Sequence, residues 1–493
     1  MLALRFLKAS ILSANKIIPP LCACASYYST FCYFCSNILP LILISHLAGK
    51  SLPFRYKKFQ TRGYPKGRTR SFCLLLFPIF IPHNSKGLSW DGSVDIYQLN
   101  HHMICLNIGI MISGCLRGSR DMNKLEHLLQ PIRVRQLEIP NRVVMPPMGS
   151  NLGNTDGTVS EANLAYFKRR IQSGAGFIIT EITSVHPNGI ASPRTLCVYD
   201  DRFIPGLAKM ADIVHRQGAK IAMQLHHVGR EGYYLLKEGK ALAPSAIASY
   251  IYRIKPQEMN IEDIKETITA FGQAARRARE AGFDAVELHA AHGYLLMQFL
   301  SHHCNQRTDQ YGGNFAGRAR FVVECLQEVR KQVGEDFPVS IRISAEEIIK
   351  DGYTVEDMQS IMPILVEAGA DIIHASFGTH GSPGGITSAP VEYEPGFKVE
   401  LARKIKEVVK VPVIAVGRFT DPFMADEIVT RGDADMIAFG RQHLADPDFL
   451  INARLGRVQE TFPCLACNQG CIERLLFEQG SIRCAINPET GQG

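Results

Sequence analysis

The sequence predicts an α/β fold, a (β/α)8 TIM barrel followed by a cysteine-rich C-terminal segment. Three features predict it. Eight short β-rich runs alternate with eight helix-like stretches between Asn141 and Leu455. Polar residues gather where the runs end, the rim at which such barrels carry their chemistry. The last two runs both end in Gly-Arg. A doubly wound sheet fits the same alternation, but no G-x-G-x-x-G follows the first run.

The runs are, in order, "NRVVMPP", "GFIITEI", "KIAMQLHH", "DAVELHAA", "PVSIRIS", "DIIHASFG", "VPVIAVGR" and "DMIAFGR". The helix-like stretches are Ser160–Ser173, Phe203–Gln217, Ile261–Ala281, Gly317–Val333, Thr354–Ala368, Val399–Val408, Pro422–Thr430 and Pro447–Leu455. Three joins read alike: "EAGFDAVEL", "EAGADIIHA" and "TRGDADMIAF". In each, glycine stops a helix and an Asp-bearing turn opens an apolar strand.

Ahead of the barrel lies a stretch of another texture. Residues 1–121 hold 14 Lys and Arg against 3 Asp and no Glu, so 122–493 carry 40 basic against 44 acidic side chains. The overall charge of +7 therefore belongs to the first quarter and predicts no nucleic-acid partner for the barrel. That quarter also holds Trp90 and seven of the 14 cysteines. Its apolar runs are broken by proline and follow neither period. A transit peptide or a membrane anchor over Phe31–Gly49 would account for the acid-poor composition, but Pro40 interrupts the span. The expectation is an unstructured, non-native upstream extension over 1–121, a start at Met122, a barrel over 122–458 and a cysteine segment over 459–493. No membrane partner and a cytoplasmic location go with it.

The rim residues suggest what the barrel holds. The first run ends at Pro147-Met148-Gly149, the third has Gln224, the fourth His289 and the fifth Arg342; the seventh and eighth end at Gly417-Arg418 and Gly440-Arg441. Glycine lets backbone N–H groups approach phosphate oxygens, and arginine adds a bidentate charged donor. Turn glycines with solvated arginines would look the same. Arg342 and Gln224 sit in otherwise apolar strands, and a buried guanidinium needs an anionic or strongly accepting partner. A flavin ring would satisfy both, Arg342 at the N1–C2=O edge and Gln224 at the pyrimidine edge. A structural ion pair with a barrel carboxylate is the alternative.

The stretch "ELHAAHGYLLMQFLSHHCNQRTDQYGGNFAGRARF" (Glu287–Phe321) closely resembles the strand-4 region of the old yellow enzyme family of FMN-dependent ene-reductases. "NRVVMPPMGS", "QLHHVGR" and the two Gly-Arg turns match in order and spacing, and the resemblance spans about Leu129–Pro488. The terminal cysteines make it similar to the family's iron–sulfur branch, which includes 2,4-dienoyl-CoA reductase, enoate reductases and trimethylamine dehydrogenase. Cys464, Cys467, Cys471 and Cys484 are spaced C-x2-C-x3-C-x12-C. Zinc sites usually use two separated pairs. Here three ligands on one loop can meet three corners of a cuboidal cluster while Cys484 reaches the fourth. The spacing resembles the branch's 4Fe-4S site; zinc remains the alternative, and disulfides are not expected.

The resemblance implies roles. His289 and His292 would hydrogen-bond a substrate carbonyl, Tyr294 would protonate the α-carbon, and His380 in "FGTHGS" would assist Tyr294. FMN and the cluster are the cofactors implied. NAD(P)H and FAD belong to a following module that "CAINPETGQG" looks set to join, so the sequence reads as truncated before it. A small unsaturated carbonyl compound (enone, enoate or enoyl-CoA) is the expected substrate, and a donor module or separate reductase the expected electron source. Departures from the relatives at strand 4 leave dienoyl-CoA reduction and amine dehydrogenation as alternatives, and the missing donor module leaves a non-catalytic electron-transfer or flavin-storage fragment as another. Cys197, Cys304 and Cys325 read as structural.

Overall fold

The computed structural model describes residues 125–492; the expectation for 1–121 lies outside them. Eight parallel strands form the barrel: β1 (Val143–Met145), β2 (Phe177–Ile179), β3 (Lys220–His226), β4 (Ala285–Ala290), β5 (Val339–Ser344), β6 (Ile372–Ser376), β7 (Val413–Val416) and β8 (Met436–Ala438). Each pairs with the next, and β8 pairs with β1 to close the ring. Every strand falls inside its expected run.

The outer helices also follow the sequence: α1 (Glu161–Ile171), α2 (Ile204–His215), α3 (Ile261–Glu280), α4 (Phe315–Val333), α5 (Val355–Glu367), α6 (Val399–Lys406), α7 (Pro422–Arg431) and α8 (Phe449–Arg454). Ser160, Asn260 and Thr354 start α1, α3 and α5 with reciprocal capping boxes, each satisfying otherwise orphaned N–H groups. Gly432 ends α7 in the left-handed region, as its join predicts.

The Asp-bearing turns have a shared task. Asp284, Asp371 and Asp435 each accept the backbone N–H of the preceding strand, from Ile221, Val339 and Val413, all at 2.9 Å. Side-chain carboxylates thus lock neighbouring strands at the bottom of the barrel. An antiparallel hairpin, Ile132–Val134 with Leu137–Ile139, sits before β1. Its Val134 and Ile139 join Phe177, Ala222, Ala285, Ile372 and Met436 in one buried cluster. Outward strand residues such as Val286, Ile341 and Ile373 pack with the helices in a larger one.

The sequence reading missed this hairpin, the short helix Leu295–Leu300 and a π-helical segment, Gln469–Glu478, in the cysteine region. Among the described residues, no helix is long and apolar enough to cross a membrane.

Candidate active site

The period-2 geometry of strands decides which side chains face inward. On β3 to β6 it turns Gln224, His226, Glu287, His289, Ser340, Arg342, Ser344, His374 and Ser376 away from the helices, and all are buried. The result is a polar layer above an apolar barrel floor. Glu287 sits at its centre, accepting from Gln224 Nε2 at 2.9 Å and from Ser340 Oγ and His374 Nδ1 at 3.0 Å. Burial alone would push this carboxyl up; the neighbouring His374 and Arg342 and its hydrogen bonds outweigh that and hold it below the usual range.

A cavity of about 320 Å³ opens above this layer. Its lining includes every barrel residue singled out from the sequence: Pro147, Met148, Gly149, Gln224, His289, His292, Tyr294, Arg342, His380, Gly417, Arg418, Gly440 and Arg441. Gln224 Oε1, Arg342 Nε and His289 Nδ1 are buried there without a protein partner. Burial brings Arg342 down to about 10, but it stays a cation at neutral pH. An acceptor and a cationic donor left unpaired in one cavity fit the donor–acceptor edge of a flavin.

At the rim, a Cβ added to Gly417 would meet nothing closer than 3.9 Å, and one on Gly440 nothing closer than 3.5 Å. Space is thus left for a ligand at both backbones. The two arginines differ. Arg418 Nη1 donates to Val391 O at 3.1 Å. Arg441 is more committed, donating to Ala389 O at 2.7 Å and to Asn468 Oδ1 at 2.5 Å.

The catalytic candidates converge after β4. His292 Nδ1 lies 3.4 Å from His289 Nε2, and His292 Nε2 lies 2.7 Å from Ser376 Oγ. Tyr294 Oη lies 3.0 Å from His380 Nε2. Gly293, at φ 87°, makes this possible: a Cβ there would meet Thr379 Oγ1 at 2.4 Å, where the β4 and β6 loops pair. Burial and neighbouring positive groups hold His289 and His292 well below the ordinary imidazole range, and burial takes His380 down to about 4. Burial likewise raises Tyr294 above the ordinary phenol range. All four groups are neutral at pH 7, so the imidazoles and the phenol can donate hydrogen bonds.

Residues missed from the sequence include Glu287, Ser340, His374 and Ser376, whose signal was polar alternation within "VELHA", "VSIRIS" and "IIHAS". Glu181, at the end of β2, also lines the cavity; burial pushes it up to about 7 against hydrogen bonds from Ser150 and Asn163. No pattern in its run marked it.

Cys464, Cys467, Cys471 and Cys484 line a second, small cavity together with Arg441 and Asn468. Cys464 and Cys471 also line the larger one. Among the described residues, no three His, Cys, Asp or Glu side chains are disposed to hold a metal ion. The four thiols converge without reaching ligand geometry. Burial pushes Cys471 up to about 11 and raises Cys464, with neighbouring cysteines adding to both. A bound cation would reverse that balance, so the donor set suits a thiolate-held centre.

Comparison with known proteins agrees with this geometry. The family described as "NADH:flavin oxidoreductase / NADH oxidase family" matches residues 127–460. An NADH oxidase of Thermoanaerobacter brockii is 41% identical over 373 residues, 75% of this chain and 57% of that protein. A cinnamate reductase of Clostridium sporogenes is 36% identical over 388 residues, 74% of this chain and 58% of the relative. Among solved structures, 2-naphthoyl-CoA reductase in complex with 2-naphthoyl-CoA superposes with a TM-score of 0.71 at 30% identity, covering 75% of this chain and 58% of that one. The chain thus spans little more than half the length of these relatives. Barrel, cavity and sequence lead to one conclusion: the chain belongs to the NADH:flavin oxidoreductase / NADH oxidase family, as its resemblance to the old yellow enzymes implied.

Proposed function

We propose that this chain is the catalytic part of an NAD(P)H-linked, FMN-dependent ene-reductase acting on α,β-unsaturated carbonyl compounds. The observation that carries the proposal is the convergence of His289, His292, Tyr294 and His380 over Gln224 and Arg342 in one cavity. Gln224 and Arg342 would hold the pyrimidine edge of FMN, and the backbones of Gly417 and Gly440 with Arg418 its phosphate. When bound, FMN supplies a hydride from N5.

The chain's own residues do the rest. His289, neutral, donates a hydrogen bond through its unpaired Nδ1 to the substrate carbonyl oxygen, where negative charge develops as the β-carbon accepts hydride. His292 joins it by exchanging its Ser376 contact for the substrate. Tyr294 gives its proton to the α-carbon, and His380 holds its hydroxyl in place. His289 and His292 are themselves buried, which strengthens the hydrogen bonds made there. Saturation of one C=C consumes one hydride and one proton.

We propose further that Cys464, Cys467, Cys471 and Cys484 hold a 4Fe-4S centre. Their shared cavity and the two cysteines common to the flavin cavity support this reading. It would pass electrons to FMN from a donor module or a separate reductase. Anaerobic incubation of dithionite-reduced protein with enones, enoates and enoyl-CoA esters tests the main proposal. These compounds should reoxidise the flavin and yield saturated products. Bleaching of oxidised flavin by amines, with no reoxidation by enones, would point to an amine dehydrogenase instead.

A further inference from the structure

The polar layer under the cavity contains a carboxylate, Glu287, that does not itself line the cavity. Glu287 is fully buried, and both its oxygens are occupied by protein donors. One of those donors is the side-chain amide of Gln224, which could in principle point either end at the cavity. An ionised carboxylate is an acceptor only, so it takes the NH2 end. Gln224 Nε2 is therefore fixed on Glu287 Oε1 at 2.9 Å, and Gln224 Oε1 is the atom left without a protein partner. Ser340 and His374 hold the other oxygen of Glu287 and keep the carboxylate from turning.

We infer that Glu287 is a positioning residue that sets the polarity of the Gln224 amide, so that the cavity selects a ligand edge bearing an N–H donor next to a carbonyl. Arg342, with its Nε unpaired, supplies the donor for the neighbouring carbonyl. The two together select an imide-type edge, such as N3–H and C2=O of a flavin, over an isosteric edge lacking the N–H. The inference rests on the flavin reading of the cavity. Its physical force is that a site built to accept a hydrogen bond rejects an analogue that cannot donate one.

Two ligands separate this role from a merely structural one: FMN, and 3-deaza-FMN, in which the N3–H is a C–H. The wild-type chain, freed of flavin, should bind FMN at least about tenfold more tightly, since the analogue leaves a buried acceptor unsatisfied. In Glu287→Gln the neighbouring amide can donate as well as accept, so Gln224 can turn. FMN affinity should fall and the preference for FMN should shrink toward one. Ser340→Ala leaves the charge of Glu287 in place but removes one of the two donors that keep the carboxylate from turning, and should shift the preference the same way by less; it serves where Glu287→Gln does not fold. An undiminished preference in the variants, with FMN still bound, would overturn the role of Glu287. Failure of the wild-type chain to bind FMN would instead overturn the flavin reading on which it rests.

Discussion

Tyr294 Oη and His380 Nε2 lie 3.0 Å apart, joining the end of β4 to the loop after β6 across the mouth of the barrel. Tyr294 sits at the N-terminal boundary of the buried helix Leu295–Leu300, and its ring packs edge-on against His226 and His289 while the His380 imidazole meets its hydroxyl. Burial keeps the phenol protonated and the imidazole neutral. A proton held this way leaves only when a stronger base, such as a developing carbanion, comes within reach.

His289→Ala would remove one of the two donors proposed for the substrate oxygen. Loss of one such donor costs about 3 kcal/mol of transition-state stabilisation, or roughly a hundredfold in rate. Stopped-flow reoxidation of reduced flavin by 2-cyclohexenone should slow by that order, and saturation with enone should need higher concentrations. An unchanged rate would remove His289 from the carbonyl site.

Cys484→Ser tests the metal proposal. Anaerobically prepared wild-type protein should contain about four iron and four sulfide per chain, the content of a four-thiolate centre. The variant should lose the cluster yet retain FMN, because the polar layer proposed to face the flavin belongs to the barrel. Zinc in place of iron, without visible iron–sulfur absorption, would contradict the assignment.

Seven histidines, the buried His226, His227, His289, His292, His374 and His443 and the partly buried His380, are held below the ordinary imidazole range, chiefly by desolvation. The unfolded chain takes up these protons near the ordinary imidazole value of 6.5, whereas His380 and His443 resist down to about 4 when folded. Their stability contribution is complete above 6.5 and is lost as pH falls toward 4. Glu181, Glu231 and Glu347 are raised and act in the opposite sense, but they are fewer. The thermal midpoint should therefore fall between about pH 7 and pH 5. A midpoint that rises on acidification would show that the histidines are not buried as described.

Asp371→Ala should destabilise the barrel more than a surface substitution. Its carboxylate accepts from Arg135 Nε at 2.6 Å, Arg330 Nη2 at 2.5 Å and Val339 N at 2.9 Å. The change leaves the largely buried Arg330 without its counter-charge, held only by the carbonyls of Gly334, Phe337 and Gly369, and breaking such a pair costs about 3–5 kcal/mol. Urea unfolding gives the value directly; a loss below about 1 kcal/mol would mean solvent compensates the arginine.

The barrel was legible because its signals are local: β-rich runs, capping residues such as Ser160 and Thr354, and glycine-Asp joins. The rim residues were legible because Gln224 and Arg342 contrast with apolar neighbours. Glu287 and His374 were not, since their meaning lies in meeting each other across β5, 87 residues apart in sequence. The hairpin at Ile132–Ile139 was missed because its strands, Ile-Arg-Val and Leu-Glu-Ile, are each interrupted by a charge and lack the apolar runs that marked the equally short β1, β2 and β8. The commitment of Arg441 to Asn468 likewise depends on two loops meeting in space.

The central claim is that Tyr294 supplies the proton while the histidine pair activates the carbonyl. The most direct measurement is single-turnover reoxidation of dithionite-reduced Tyr294→Phe, followed by stopped flow with 2-cyclohexenone and with a nitro-olefin. The account predicts that cyclohexenone reduction falls by roughly 10²–10⁴ while enone binding persists. The nitro-olefin, whose hydride adduct is a stabilised nitronate, should lose much less. Reduction of cyclohexenone by Tyr294→Phe at the wild-type rate would contradict the account and pass the role of acid to His380 or water.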